Sequence, residues 1–261
     1  MQRFAFLVTC LLFLSIYSQA QDDLFGAKGG GEAAKGVRHQ GFVFGVNASY
    51  DRPAGDMADR FGGSFRVGGS AMYKTKSNWI FGLKGDFLFG DRIKEDSLMA
   101  NIRDEGGAFI DQNGHRMNVG IYERGYMVGV QGGYILTLGK SKGENGLLIM
   151  PGVGFIQHRI RIFDKDNNIS SIKGDYKKGY DRLVNGIYYE QYIGYNHFAA
   201  NQLLNYHIGL DFVAGFDQGR RTYLYDVRRS GEDKRMDILF GIRAGWYIPI
   251  FHRKSEDYYF Q

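Results

Sequence analysis

Tyr206-His-Ile-Gly-Leu-Asp-Phe-Val-Ala-Gly-Phe-Asp217 alternates strictly: Tyr206, Ile208, Leu210, Phe212, Ala214 and Phe216 fall on one side, and His207, Gly209, Asp211, Val213, Gly215 and Asp217 on the other. A period of two residues is that of a β-strand whose faces meet different surroundings. Two further stretches repeat it. Trp79, Phe81, Leu83, Phe87 and Phe89 oppose Gly82, Lys84 and Asp86, while Ile238, Phe240, Ile242, Ala244, Trp246, Ile248 and Ile250 oppose Asp237, Gly241, Arg243, Gly245 and Tyr247. In a soluble sandwich or lipocalin-like barrel the apolar face points inward and the outer face carries charge. Here one side holds large aromatic and branched groups and the other holds glycine and charges. A narrow barrel interior has room for the second set but not for a ring of Phe and Trp, so the apolar side is expected to face lipid.

Working outward from these stretches, strands are predicted at roughly 40–50, 63–75, 78–90, 119–137, 147–162, 186–198, 203–217 and 235–251. The gaps run long, short, long, short, long, short, long. Outer-membrane barrels have this rhythm, with tight periplasmic turns, long outside loops and an even strand number. The expected fold is therefore all-β: an eight-stranded antiparallel transmembrane β-barrel in the outer membrane of a Gram-negative bacterium. No window beyond residue 20 reaches the 18 or more continuous apolar residues of a spanning helix, so crossing a bilayer requires a closed sheet that satisfies its own backbone. Gly (38), Tyr (18) and Phe (20) are abundant and Pro (3) is scarce, as long strands with aromatic girdles require. Pro151 interrupts the fifth strand in either register and predicts a bulge or an edge-like defect there.

Arg3, the apolar run Phe4 to Tyr17 and the Ser18-Gln19-Ala20 ending read as an export signal over 1–20. A lipoprotein site at Leu7-Val8-Thr9-Cys10 is the rival reading, opposed by the apolar core that continues from Leu11 to Tyr17. Removal of 1–20 takes away the single cysteine and with it disulfides, thiolate metal sites and cysteine catalysis. The segment 21–39 reads as a flexible periplasmic lead, 40–251 as the barrel and 252–261 as a periplasmic tail. In that tail a basic triplet and an acidic stretch precede Tyr258, Tyr259 and Phe260, an arrangement suited to docking on an envelope protein. Folding back across the barrel mouth is the alternative.

Arg66, Lys84, Asp86, Glu123, Glu190, Asp211, Asp237 and Arg243 fall on inward positions, where unpaired charge is costly, and are expected to form a pairing network that plugs the lumen. Arg124 lies in phase with the outward residues. At about 2.5 Å of rise per residue along the membrane normal it stands on the order of 30 Å above the periplasmic end, beyond an apolar band of roughly 25 Å, and so faces headgroups. The outer loops are expected near residues 51–62, 91–118, 163–185 and 218–234. The last two are basic, with Lys177, Lys178, Arg220, Arg221, Arg228 and Arg229 placed to meet lipopolysaccharide phosphates or an acidic protein. The whole chain carries a formal charge of +5. Nucleic acid is a poor partner for such loops, and no nucleic-acid fold motif is present.

Smaller motifs add little. Asp96-Ser97-Leu98 resembles the three-residue O-glycosylation signal of the Bacteroidota envelope, with Ser97 as acceptor. Asp164, Asp166, Asn167 and Asn168 lack the Gly and terminal Glu of an EF-hand loop and read as a turn. No metal set and no cofactor motif is legible. Lipid A deacylases of small barrel form carry a His-x-Ser pair, and none of the six histidines has Ser two residues later. His207 and Asp211 share a face but lie about 13 Å apart along a strand, too far to act as a pair.

The runs 186–195, 202–212, 220–226 and 233–250 resemble a family of small outer-membrane barrels of Bacteroidota. The resemblance implies a structural barrel or an accessory subunit of an envelope machine, such as one for assembly or secretion, and supplies no catalytic or binding residue. The segment Tyr247-Ile-Pro-Ile-Phe251 also resembles the terminal aromatic signal read during barrel insertion. A non-enzymatic accessory subunit is thus the leading expectation, followed by a narrow channel or small-ligand or lipopolysaccharide binder, and then by a lipid-modifying enzyme.

Overall fold

The computed structural model describes residues 38–95, 97–137, 144–164, 169–199 and 204–251. The expected signal, nearly all of the lead, and the tail with Tyr258, Tyr259 and Phe260 lie outside the described residues. Eight long strands run as β1 Gly41–Gly55, β2 Ser64–Lys74, β3 Trp79–Gly90, β4 Gly120–Thr137, β5 Gly146–Phe163, β6 Val184–His197, β7 Tyr206–Gly219 and β8 Lys234–Phe251. Each is antiparallel to the next, and β1 pairs with β8 to close the ring. Two short hairpins, Phe109–Ile110 with Arg116–Met117 and Arg221–Leu224 with Arg229–Gly231, lie in the second and fourth outer loops.

The outer surface is apolar around the ring. Leu83, Phe216 and Ile242 are about 60% exposed (62%, 62% and 60%), and Trp79, Phe87, Leu210, Phe240 and Ile250 are exposed as well. Arg66, Lys84, Asp86, Asp211 and Arg243 are buried inside. This inversion of a soluble protein's pattern is what a bilayer demands of a barrel. Ala214 shares the outward phase yet is covered, because its short side chain lies between the cross-strand neighbours Tyr189 and Ile238.

The largest departure of a strand bound from the sequence reading is in β1. It runs five residues past the expected end, through Pro53 to Gly55, which shortens the first outer loop to residues 56–63. Beyond Asp51 this strand has left β2 and pairs only with β8; a residue without an N–H is tolerated at such a one-sided position. At Pro151 no bulge forms. The β4–β5 ladder lapses opposite Met150 and Pro151 and resumes at Tyr134↔Ile149 in the register it had at Gln131↔Gly152, while β6 stays paired through Pro151↔Gln191.

The periplasmic turn 75–78 explains itself locally. Asn78 adopts φ 67°, a left-handed conformation that Asn tolerates better than most residues. Its N–H reaches the Thr75 carbonyl at 3.2 Å, and the Thr75 hydroxyl accepts the Trp79 N–H at 3.1 Å.

Gly209 faces Gly194 across the β6–β7 pair, and a Cβ there would stand 2.3 Å from both the Gly194 Cα and the Ile193 carbonyl oxygen. Leu210, next along the strand, faces lipid. Leu210→Lys is expected to destabilise the barrel by about 2–4 kcal/mol, whereas Gly209→Ala destabilises without adding charge, by forcing two backbones apart. Denaturant unfolding in lipid vesicles measures both. Equal midpoints for Leu210→Lys and Leu210→Ala would contradict the lipid-facing assignment.

Candidate functional site

The lumen is filled in layers. At its middle, Arg66 from β2 donates from Nε and Nη2 to the Asp51 carboxylate, both at 2.8 Å, and from Nη2 to Asp211 Oδ2 at 2.5 Å. Lys84 binds both Glu190 oxygens, at 2.6 and 2.7 Å, and Asp86 at 2.7 Å. Arg243 joins Glu190 to Asp211, the latter at 2.7 Å. Asn47 donates to Asp86 at 2.9 Å and Ser49 to Asp51 at 3.0 Å. These groups come from β1, β2, β3, β6, β7 and β8, so the network braces six of the eight strands.

Below it, Val43, Met72, Ile80, Ile135, Leu148, Met150, Tyr192, Phe198 and Tyr247 form an apolar layer at the periplasmic end. Phe198, from the turn after β6, stacks on Tyr247 at 5.8 Å and closes that end. Above the charges lies a second apolar layer that includes Met57, Phe61, Leu88, Met127, Ile156, Ile160, Val213 and Leu239. The lumen is therefore not plugged by the charged network alone.

The expected network also divides. Arg66, Lys84, Asp86, Glu190, Asp211 and Arg243 are joined, but Glu123 and Asp237 are not among them. Glu123 accepts from the Ser64 hydroxyl at 2.6 Å, and Asp237 from His158 Nε2 at 2.8 Å and Arg235 Nη2 at 3.2 Å. Their strand positions explain the separation: Glu123 lies near the start of β4 and Asp237 near the start of β8, both toward the outer end.

The outer loops are stitched together over the barrel mouth. Arg182, buried and at φ 49°, donates to Glu95 and to Asp226, each at 2.8 Å. Asp226 also accepts the Met99 N–H at 3.1 Å, and Arg60 stands 3.8 Å from Glu95. All four outer loops thus meet around one guanidinium. Burial alone would lower the pKa of Arg182, but its bonds to Asp226 and Glu95 outweigh that and hold it above the ordinary value. Arg60, with less compensation, is pushed down to about 10 by burial and by the nearby Arg235.

The basic loop residues are engaged to different degrees. Arg221 binds Asp181 through two bonds of 2.7 and 2.5 Å, Arg220 reaches Asn185 at 2.5 Å, Arg229 pairs with Asp233 at 3.1 Å and Lys178 with Asp175 at 2.6 Å. Arg228 is exposed in a left-handed turn position, Ser97 is exposed, and Lys177 is half-buried. Arg124 is on the outer face, 5.1 Å over the Tyr122 ring, and donates to the Glu123 carbonyl at 2.6 Å. Directly across the ladder from it stands Arg159, and Arg161 follows on the same face. A cleft of about 380 Å³ opens beside them, lined by Arg159, Arg161, Phe163, Asp164, Lys177 and Asp181 among others.

His207 is engaged by Tyr192, its Nδ1 lying 2.8 Å from the phenol oxygen, and by stacking on Tyr247. Asp211 belongs instead to the charged layer. Asp51, Ser49 and Asn47 escaped the sequence reading of the lumen although they lie in phase with Gly45, and Ile80 and Leu88 escaped it although they lie in phase with Lys84.

Arg243→Met leaves buried Glu190 and Asp211 short of a partner and is expected to destabilise the barrel by about 3–5 kcal/mol. Arg243→Met combined with Glu190→Gln is expected to recover part of that loss. Unfolding midpoints check both, and an unchanged midpoint for the single variant would mean that water reaches the layer.

No family model matches the sequence, and no curated protein matches it. Solved structures with some similarity include Ail, the attachment invasion locus protein of Yersinia pestis, in complex with the heparin analogue sucrose octasulfate (10% identity, TM-score 0.40, 81% of this chain and 99% of that one). Neisserial surface protein A has 9% identity and a TM-score of 0.41 over 78% of this chain and 96% of that one. OprG from Pseudomonas aeruginosa has 10% identity and a TM-score of 0.36 over 83% and 99%. Likenesses at this level say nothing of what this chain binds.

Proposed function

We propose that this chain is a non-enzymatic, non-conducting barrel of the Gram-negative outer membrane that works by presenting a rigid outer end, as an accessory subunit of an envelope assembly or secretion machine. The observation that carries this reading is the continuous filling of the lumen, an ion-paired layer held between two apolar ones. An ion crossing it would have to break buried Arg and Lys pairs and pass two largely apolar layers, each step opposed by desolvation. The loop cap centred on Arg182 supports the same reading. Loops already tied to one another lose little freedom on meeting a partner, which favours recognition.

A second reading is favoured by one observation on the outer face. Arg124 and Arg159 are direct cross-strand neighbours, and like charges so placed repel. Asp181 is 3.9 Å from Arg159, but Arg221 already holds it by two bonds. An anion bridging Arg124, Arg159 and Arg161 would relieve the repulsion, and the phosphates of lipopolysaccharide lie at that height in an outer leaflet. Guanidinium groups suit them by paired hydrogen bonds.

Planar-bilayer recordings of the purified protein are expected to show no stable large conductance, and mild-detergent purification is expected to retain a discrete envelope protein. A persistent open channel would end the first reading. Arg124→Ala with Arg159→Ala is expected to weaken binding to lipopolysaccharide-containing nanodiscs, with a shallower dependence on salt, while leaving the unfolding midpoint in neutral detergent unchanged. Unaltered lipopolysaccharide binding would remove the second.

A further inference from the structure

A carboxylate taken out of water and given no donor is costly. Asp217, near the end of β7, is 4% exposed, and neither of its carboxylate oxygens has a hydrogen-bond partner among the described residues. Its Oδ2 lies 3.9 Å from His158 Nε2 of β5, which is itself 2.8 Å from Asp237 Oδ2 of β8. One ligand atom from each of the three lies within 4.8 Å of the others. We propose that His158, Asp217 and Asp237 bind a divalent first-row transition-metal ion inside the outer end of the barrel.

The chemistry of the three donors fits such an ion. One imidazole nitrogen and two carboxylate oxygens suit Zn²⁺ or Mn²⁺, with water completing the coordination. Bonds of about 2.0–2.2 Å place the ligands of one ion roughly 3–3.5 Å apart, between the 2.8 and 3.9 Å separations of these atoms. Small side-chain rotations are enough to reach that geometry. Arg235 Nη2, 3.2 Å from Asp237 Oδ1, holds the carboxylate oxygen turned away from the ion, as outer partners of metal ligands commonly do. Phe61 packs edge-on against the imidazole at 5.7 Å and fixes its plane.

Charge points the same way. Arg60 and Glu123 both act electrostatically on Asp237 from flanking elements. Three carboxyl groups, those of Asp217, Asp237 and Glu123, face two guanidinium groups, Arg60 and Arg235, in this end of the barrel, and a dication bound in place of protons would offset the acidic excess. The competing occupant is a proton shared between the carboxyl groups of Asp217 and Asp237, which interact directly.

The test uses the full chain without an affinity tag, purified in detergent, stripped with EDTA under denaturing conditions and refolded with Zn²⁺ or Mn²⁺. After exhaustive dialysis the wild type is expected to keep one metal ion per chain by elemental analysis and to unfold at a higher midpoint than the metal-free form, since an ion that binds only the folded state stabilises it. His158→Gln and Asp217→Asn are expected to lose the bound metal and the metal-dependent rise in midpoint. X-ray absorption at the zinc edge on the wild type alone is expected to show imidazole scattering, a readout that survives if the variants fail to fold. Retention no greater than in Asp217→Asn, or a zinc environment of oxygen alone, overturns the site and leaves the proton as its occupant.

Discussion

Everything in this molecule follows from the pairing of β1 with β8. The ladder from Gly41↔Phe251 to Gly55↔Asp237 is unbroken, and without it two strands would present rows of unpaired N–H and C=O groups to hydrocarbon, each costing several kcal/mol. Closing the ring with only eight strands fixes a narrow interior. Side chains that point inward must then interlock, which is why Gly194 and Gly209 face each other with no room for a methyl group between them. The same narrowness leaves inward charges no bulk water, so each must find an opposite charge or a donor within reach.

That second demand organises the lumen by height. Arg66, Arg243 and Lys84 are placed where carboxylates from β1, β3, β6 and β7 converge, and apolar side chains fill the levels above and below. An ion-paired layer of this kind is weak evidence for net stability, since an apolar filling of equal volume is often as stable. Its consequence for register is firmer. A one-residue slip of β8 would turn Arg243 toward lipid and bring Ile242 into the charged layer, so the network penalises every wrong pairing.

The alternation at 79–89, 206–217 and 235–250 made the fold, the strand number and the lipid face legible, because a period of two survives whatever the loops do. Arg66, Lys84, Asp86, Glu190, Asp211 and Arg243 of the charged layer were legible for the same reason. What did not show was height: alternation says inward or outward but not how far along the axis, so Glu123 and Asp237 were grouped with Arg66 although they lie at the outer end. Asp51 was missed because Arg52-Pro53 reads as the start of a loop, while the strand continues on one side only. The His158, Asp217 and Asp237 group was invisible, since its members come from three strands and only the closed ring brings β5 opposite β8.

Height also decides what the outer end can do. The side chains of the lipid belt are interchangeable apolar groups, and those of the lumen are committed to one another. Specific recognition is left to the groups above the belt, where Arg124, Arg159 and Arg161 face outward and the loops close over the mouth. Arg182 matters here because it carries no water-exposed charge of its own to offer. By drawing Glu95 and Asp226 inward it removes acidic groups from the loop surface and leaves the outer end more basic than its composition alone requires. A cap tied together around one guanidinium and rimmed with positive charge suits anchoring better than gating, in keeping with the proposed non-conducting role.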